Sequence, residues 1–189
     1  MREVRSRLNA LLLLLFGLLS GCASSMMIRS DTVIKPGPDY AVVNFLRPSV
    51  FGGAIKFGIW DQENFIGILT PKNYIQYQAS PGEHLFMARA ENWAVIKATV
   101  EAGKTYYILG APRMGVWKAR VALEVVKPDD PRLNGWMEKI TPITVDPAQR
   151  DTYVKERLES VRQAVKNVQD GKAAFDVMNA SDGRQLIGR

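Results

Sequence analysis

The sequence predicts an all-β fold, an antiparallel β-sandwich of about seven or eight strands, followed by a C-terminal amphipathic α-helix. The first observation is a series of short apolar runs separated by turn signals between Tyr40 and Val126, which is typical of such folds. The second is an apolar residue at every third or fourth position after Asp146, which is the helical period. The third is an apolar fraction of 47% in 189 residues, enough for one ordinary domain.

The composition also excludes several classes of protein. The chain has one cysteine and one histidine, so neither a framework of internal disulfides nor a metal site of the Cys/His type can form. We therefore expect no metal and no cofactor. The formal charge of +6 includes three arginines near the N-terminus. The small net positive charge of the rest of the chain does not indicate a nucleic-acid partner.

The N-terminus has the three-part layout of a secretory signal peptide, predicted at residues 1–21. A basic segment contains Arg2, Arg5 and Arg7, and an apolar run over residues 10–19 ends in the small residues before Cys22. Ten apolar residues are fewer than the roughly 20 that a membrane-spanning helix needs, so a permanent transmembrane segment is the weaker interpretation.

The tetrapeptide Leu19-Ser20-Gly21-Cys22 resembles the lipobox of bacterial lipoproteins. The resemblance implies that Cys22 is lipidated and becomes the new N-terminus. Several acyl chains, palmitate among them, would then anchor the chain to a membrane. Ala23 is not the aspartate of an inner-membrane retention signal. The implied location is the outer membrane, with the protein facing the periplasm.

Residues 22–38 are predicted to be a lipidated tether and residues 39–128 a β-sandwich of the immunoglobulin-like or transthyretin-like type. The strand with the clearest alternation is Val116 to Val126, where Trp117, Val121 and Leu123 share one face. The predicted strands are Tyr40 to Arg47, Ala54 to Trp60, Phe65 to Leu69, Tyr74 to Ala79, His84 to Glu91, Ala94 to Glu101, Lys104 to Ala111 and Val116 to Val126.

A connector is predicted at 129–146, a helix at 147–170 and a flexible tail at 171–189. Asp146 is a suitable N-cap, and Pro147 suits the first helical position. The apolar stripe of the helix is narrow. It can pack on the sandwich or pair with a partner helix, and the first interpretation is favoured because the stripe is barely two heptads long.

No set of residues in the sequence indicates catalysis, and we expect the protein not to be an enzyme. His84 follows a Pro-Gly turn and is expected to hydrogen-bond near that turn at a strand edge. The acidic residues Asp61 and Glu63 are predicted to be solvated charges in a polar loop. A hydrolase would need two carboxylates that face one groove.

Aromatic residues offer the best candidates for recognition. Trp60 beside Asp61 and Trp93 beside Asn92 are predicted to be exposed, and they are the two candidate recognition aromatics. Trp117 lies on the apolar face of its strand and is expected to be buried.

Several short segments over residues 38–126 resemble the lipoprotein-associated family called "domain of unknown function 2846". They are Phe45 to Ser49, Phe65 to Leu69, Tyr74 to Tyr77, Pro81 to His84 and Gly103 to Ile108. The layout is more distantly similar to PEGA-type β modules, although the Pro-Glu-Gly-Ala signature is missing. The resemblance implies a β-sandwich in an exported lipoprotein and brings no catalytic residues.

Together these patterns predict a non-enzymatic protein of the bacterial cell envelope that is anchored to the membrane through Cys22 and docks a periplasmic or outer-membrane protein. A tether that binds peptidoglycan or another polysaccharide is the alternative. A hydrolase with an unrecognised carboxylate site is a more remote one.

Overall fold

The computed structural model describes residues 26–114 and 119–185. Within these ranges the chain forms two β-sheets, two α-helices and one 3₁₀ helix, Ala180–Asp182. The helices are α1 (Leu133–Met137) and α2 (Pro147–Gln169). The strands are β1 (Met27–Arg29), β2 (Ala41–Arg47), β3 (Phe57–Asp61), β4 (Asn64–Leu69), β5 (Asn73–Ala79), β6 (Gly82–Arg89), β7 (Trp93–Val100), β8 (Lys104–Met114), β9 (Ala119–Val126), β10 (Thr141–Val145), β11 (Asp176–Met178) and β12 (Arg184–Gln185).

Both sheets are mixed, so the prediction of a purely antiparallel arrangement is wrong. The first sheet has the order β1-β10-β5-β2-β8-β12, with β9 also paired to β8, and the second has the order β11-β7-β6-β3-β4. β2 pairs with β8 in parallel, as do β10 with β5 and β11 with β7. The predicted strands do form, but three of their pairings join segments that are distant in the sequence.

The central core contains buried side chains from both sheets, including Phe45 of β2, Ile59 of β3 and Ile108 of β8. The alternating apolar positions that the sequence indicates in β7 and β9 are part of it, since Ile96 and Leu123 are buried there. This core follows from the two-residue period of the strands.

Two smaller apolar clusters cover the opposite faces of the sheets. In β2 all seven residues are buried, because Phe45 belongs to the central core while Leu46 packs with Leu133 beneath α1. In β3, Ile59 belongs to the central core and Trp60 packs beneath α2. Strands that are covered on both faces have continuous rather than alternating apolar runs.

α2 begins and ends where the sequence predicts. The Asp146 carboxylate accepts a hydrogen bond from the Ala148 N–H at 3.0 Å, and Pro147 occupies the first turn. Val161, Ala164 and Val168 are buried against the second sheet together with Trp60 and other residues. The helix therefore packs on its own domain.

Three segments predicted to be irregular contain ordered structure. β1 lies in the predicted tether and pairs with β10. The predicted connector contains α1 and β10, and the predicted tail contains β11, which pairs with β7. These strands are three to five residues long and lack a period of their own, so only their partners in the sheets identify them.

Candidate functional site

His84 and Asp61 form a buried pair at the end of the second sheet. His84 Nδ1 lies 2.7 Å from Asp61 Oδ2, and the side chains are 8% and 9% exposed. Asp61 follows Trp60 at the end of β3, and its Oδ1 accepts the Leu85 N–H at 3.3 Å. The prediction that Asp61 is a solvated loop charge is therefore wrong, because pairing of β3 with β6 brings its carboxylate under the neighbouring strand.

Both ring nitrogens of His84 have hydrogen-bond partners. His84 Nε2 lies 2.8 Å from the Ser80 carbonyl oxygen, which can only accept, so this nitrogen carries a proton. The other ring nitrogen, Nδ1, is hydrogen-bonded to Asp61 Oδ2. The pKa of His84 is raised, mainly by the hydrogen bond with Asp61, and burial opposes the shift. The contact with Ser80 is the hydrogen bond near the turn that the sequence predicts.

Tyr77 extends this pair to the first sheet. Its hydroxyl on β5 donates to Asp61 Oδ2 at 2.9 Å and accepts from Asn64 Nδ2 at 3.2 Å. Burial first, and then the Asp61 charge, raise the pKa of Tyr77 to about 12. Arg150 of α2 donates to Asn64 Oδ1 at 2.9 Å. One chain of polar contacts thus joins both sheets and α2.

This set of residues, which we call the His84 cluster (Asp61, Asn64, Tyr77 and His84), is arranged as a structural link. A general base needs a free nitrogen near a group that it can deprotonate. Both ring nitrogens of His84 are engaged instead, one by a carboxylate and one by a carbonyl, and neither partner is a nucleophile that a base could activate.

The two candidate recognition aromatics are not exposed platforms. Trp60 is fully buried, contrary to the prediction, because α2 covers the outer face of β3. Its ring centroid lies 4.9 Å from that of Phe65 and 6.4 Å from that of Tyr153. Trp93 is half-buried, packs against the same cluster, and lies 5.5 Å from the Arg89 guanidinium. Trp117 and Cys22 lie outside the described residues.

A different aromatic residue lines a groove. α1 packs on the outer face of the first sheet through Leu133, and half-buried Trp136 lies at the side of the groove that results. We call this the α1 groove; it has a volume of about 530 Å³, within the usual range for ligand pockets. Its lining consists of Pro48, Ser49, Lys72, Leu109, Gly110, Ala111, Pro112, Pro131, Arg132, Gly135, Trp136 and Lys139.

The α1 groove carries an excess of positive charge. Arg132 makes an ion pair with Asp130 at 2.7 Å and lies 4.6 Å from the centre of the Trp136 ring. Hydrogen bonds from Arg132 lower the pKa of Asp130 to about 2, so this carboxylate stays charged and neutralises the arginine. Lys72 and Lys139 are exposed, and no carboxylate within residues 26–114 or 119–185 makes an ion pair with either of them.

The backbone holds Lys72 in an unusual conformation. Its φ angle is 60°, in the left-handed region that glycine and asparagine favour. The Lys72 N–H donates to the Arg47 carbonyl oxygen at 2.8 Å, and the Lys72 carbonyl accepts from the Thr141 N–H at 3.0 Å. The base of this side chain is therefore fixed at the edge of the groove.

The loop beside the groove is fixed by a buried arginine. Arg47 is fully buried and donates to the carbonyl oxygens of Ile55 at 2.5 Å, Gly52 at 2.7 Å and Leu69 at 3.3 Å. Its guanidinium lies 4.1 Å from the centre of the Phe57 ring, and burial lowers its pKa. Arg47 thereby holds the 48–56 loop, whose first residues line the α1 groove.

Sequence reasoning did not select Trp136, Lys72 or Lys139. Trp136 lies in a segment that the sequence predicts to be a connector, and the two lysines have no motif around them. The one local signal is Leu133, which is spaced so that it lies on the same side of a helical turn as Trp136 and Met137.

In the described part of the chain, no three His, Cys, Asp or Glu side chains are grouped so that they could hold a metal ion. The helices described there are also too short or too polar to cross a bilayer.

A comparison of the chain with protein-family models and with curated proteins finds no match in either.

Proposed function

We propose that this chain is a non-enzymatic, lipid-anchored protein of the bacterial cell envelope that docks a protein partner through the α1 groove. In this proposal Cys22 anchors the chain to the outer membrane and the domain faces the periplasm. The fold would be a β-sandwich of the "domain of unknown function 2846" type, with α1 and α2 on its outer faces.

The observation that carries the docking proposal is the α1 groove itself. Half-buried Trp136 offers apolar area and a fixed ring, which are properties of residues that dominate binding energy in protein interfaces. Lys72 and Lys139 lie beside it without ion-pair partners among the described residues. The best-positioned polar cluster elsewhere, the His84 cluster, is occupied by its own contacts.

The anchor supports the proposal from the sequence. The Leu19-Ser20-Gly21-Cys22 tetrapeptide follows directly on an apolar run and contains the one cysteine of the chain. Several acyl chains on one residue contribute about 0.8 kcal/mol per buried methylene, which is enough for stable attachment.

Cell fractionation tests the anchor. Cys22→Ser is expected to move the protein from the membrane fraction to the soluble periplasmic fraction, while the control Ser24→Ala stays with the membrane. A Cys22→Ser protein that still sediments with membranes contradicts lipidation.

Crosslinking in the cell tests the docking surface. A photo-crosslinking phenylalanine derivative replaces Trp136 in the groove or, as a control, Lys155 on the exposed face of α2. We expect one dominant protein adduct at position 136 and none at 155. Cell-wall fragments at position 136 would favour the polysaccharide tether instead, and identical adducts at both positions would refute docking through the groove.

A further inference from the structure

We infer that the α1 groove takes a short acidic peptide segment of its protein partner, in which carboxylate side chains flank an apolar one. This inference rests on the proposed docking function and adds the chemistry of the partner. Three features of the groove point to it: its charge, its apolar floor and the conformation of Lys72.

Charge complementarity requires a negative ligand. Lys72 and Lys139 lie in the groove with Arg132, and only Arg132 has an ion-pair partner among the described residues. Two positive charges are thus available to carboxylates of a ligand. Charges arranged in this way speed association and select partners of opposite sign.

The floor of the groove favours a peptide over a sugar. It contains Leu109 and Ala111 of β8, Pro131 before α1 adds further apolar lining, and half-buried Trp136 adds an aromatic wall. Recognition of hydroxyl-rich sugars needs several neutral hydrogen-bonding side chains, and the described lining has two, the Ser49 hydroxyl and the Trp136 indole N–H. An apolar peptide side chain fits such a floor, and flanking carboxylates reach the lysines.

The apolar surface continues beside the groove. Val50 is 66% exposed and Phe51 is 55% exposed, and both belong to the 48–56 loop that Arg47 holds in place. A Cβ placed on Gly52 of this loop would lie 3.1 Å from Pro112 Cβ, so the loop lies against the strand that forms the floor. A peptide longer than the groove thus finds further apolar contacts.

Side chains rather than strand pairing would hold the peptide. β8 extends five residues beyond Leu109, the last of its residues that pairs with β2. Pro112 within this extension and Pro48 after β2 have no N–H to donate, which makes this edge a poor template for an added strand.

The conformation of Lys72 indicates that its side chain is used. A residue other than glycine at a φ of 60° is strained, and strain of this kind concentrates at functional sites. Glycine would adopt the same conformation without the steric cost. The chain nevertheless has a lysine here, and the hydrogen-bonded backbone holds its side chain at the edge of the groove in spite of the strain.

The test measures binding of a fluorescent twelve-residue peptide that alternates Glu with Leu and Phe to the full chain in detergent. A peptide with Gln in place of each Glu is the ligand control. The test variant is Lys72→Glu with Lys139→Glu. Its matched control is Lys35→Glu with Lys155→Glu, two exposed lysines outside the groove, which changes the net charge equally.

We expect the Kd of the acidic peptide to rise at least tenfold in the groove variant and to stay within twofold of the wild type in the control variant. The Gln peptide should bind at least tenfold more weakly to the wild type. Equal binding by the two double variants would overturn the inference, because the effect would then be one of net charge alone.

A pair of glycine variants separates binding from folding. Lys72→Gly relieves the left-handed conformation and should lose peptide affinity while Tm stays the same or rises. Gln62→Gly relieves the corresponding conformation at a φ of 50° in the turn after β3, outside the groove, and should leave affinity unchanged. Wild-type affinity in Lys72→Gly contradicts the inference.

Failure of the inference and failure of the proposed function are distinguishable. A protein adduct at position 136 together with no binding of the acidic peptide refutes the acidic chemistry and leaves docking intact. Sedimentation of the wild type with purified peptidoglycan, lost in the groove variant, would refute a peptide ligand and assign the groove to the cell wall.

Discussion

The Tyr77 hydroxyl on the first sheet donates a hydrogen bond to the Asp61 carboxylate on the second at 2.9 Å. The same carboxylate oxygen lies 2.7 Å from His84 Nδ1. One oxygen therefore connects the two sheets through polar contacts. The contribution of these hydrogen bonds to the free energy of unfolding can be measured with variants.

Asp61→Ala is expected to destabilise the fold strongly. The change leaves the buried donors of Tyr77 and His84 without their acceptor, and breaking a buried pair in this way costs about 3–5 kcal/mol. Urea denaturation measures the free energy of unfolding. Glu63→Ala in the same turn is the control, since its side chain is half-exposed, and a similar loss in both variants would contradict the role of Asp61.

The stability should fall as the pH rises above the ordinary histidine pKa of 6.5. The pKa of His84 is raised in the folded chain, so the pair contributes fully below pH 6.5 and its contribution is lost as the pH rises through the folded value. Thermal melts across this range should show a decrease in Tm that His84→Gln removes. An identical pH profile in the variant would show that other groups cause the decrease.

Trp60→Ala should cost more stability than Trp93→Ala. Trp60 is fully buried beneath α2, and truncation of a buried tryptophan costs about 3–5 kcal/mol, whereas Trp93 is only half-buried. Chemical denaturation of both variants checks the order. If Trp93→Ala were the more damaging change, α2 would not cover Trp60 as described.

Arg47→Met should loosen the 48–56 loop. The change removes the Arg47 donor from the Ile55 carbonyl oxygen and leaves the Gly52 carbonyl with the Ile55 N–H alone, a loss of about 1–3 kcal/mol. Hydrogen exchange should be faster at the Ile55 N–H, which donates to the Gly52 carbonyl at 2.9 Å. Arg47→Lys retains the positive charge but lacks the planar guanidinium with its several donors. Hydrogen exchange at the Ile55 N–H should therefore be nearly as fast as in Arg47→Met.

Local patterns predicted much of the secondary structure. The alternation in β7 and β9 and the capping residues Asp146 and Pro147 are properties of adjacent residues, and the structure has the corresponding strands and helix. The parallel pairings could not be predicted in this way, because the register between β2 and β8 is set by contacts between distant residues.

Burial of single residues was predicted less well, for the same physical reason. Trp60 and Asp61 lie beside a polar turn, and only the distant helix α2 and strand β6 cover them. One local signal was available in β2, where apolar residues stand at adjacent positions, Val42 with Val43 and Phe45 with Leu46, as is typical of a strand covered on both faces. The α1 groove depends on where α1 packs, which no single segment specifies.

The parallel pairing of β2 with β8 has a consequence for the speed of folding. Val42 pairs with Thr105, and the chain between them contains β3, β4, β6 and β7 of the second sheet. The hairpins β3–β4 and β6–β7 close short loops and can form early, whereas the pairing of β2 with β8 joins two segments that are far apart along the chain. Proteins dominated by such distant contacts fold in milliseconds to seconds. We therefore expect the second sheet to form first and the β2–β8 contact to limit the folding rate.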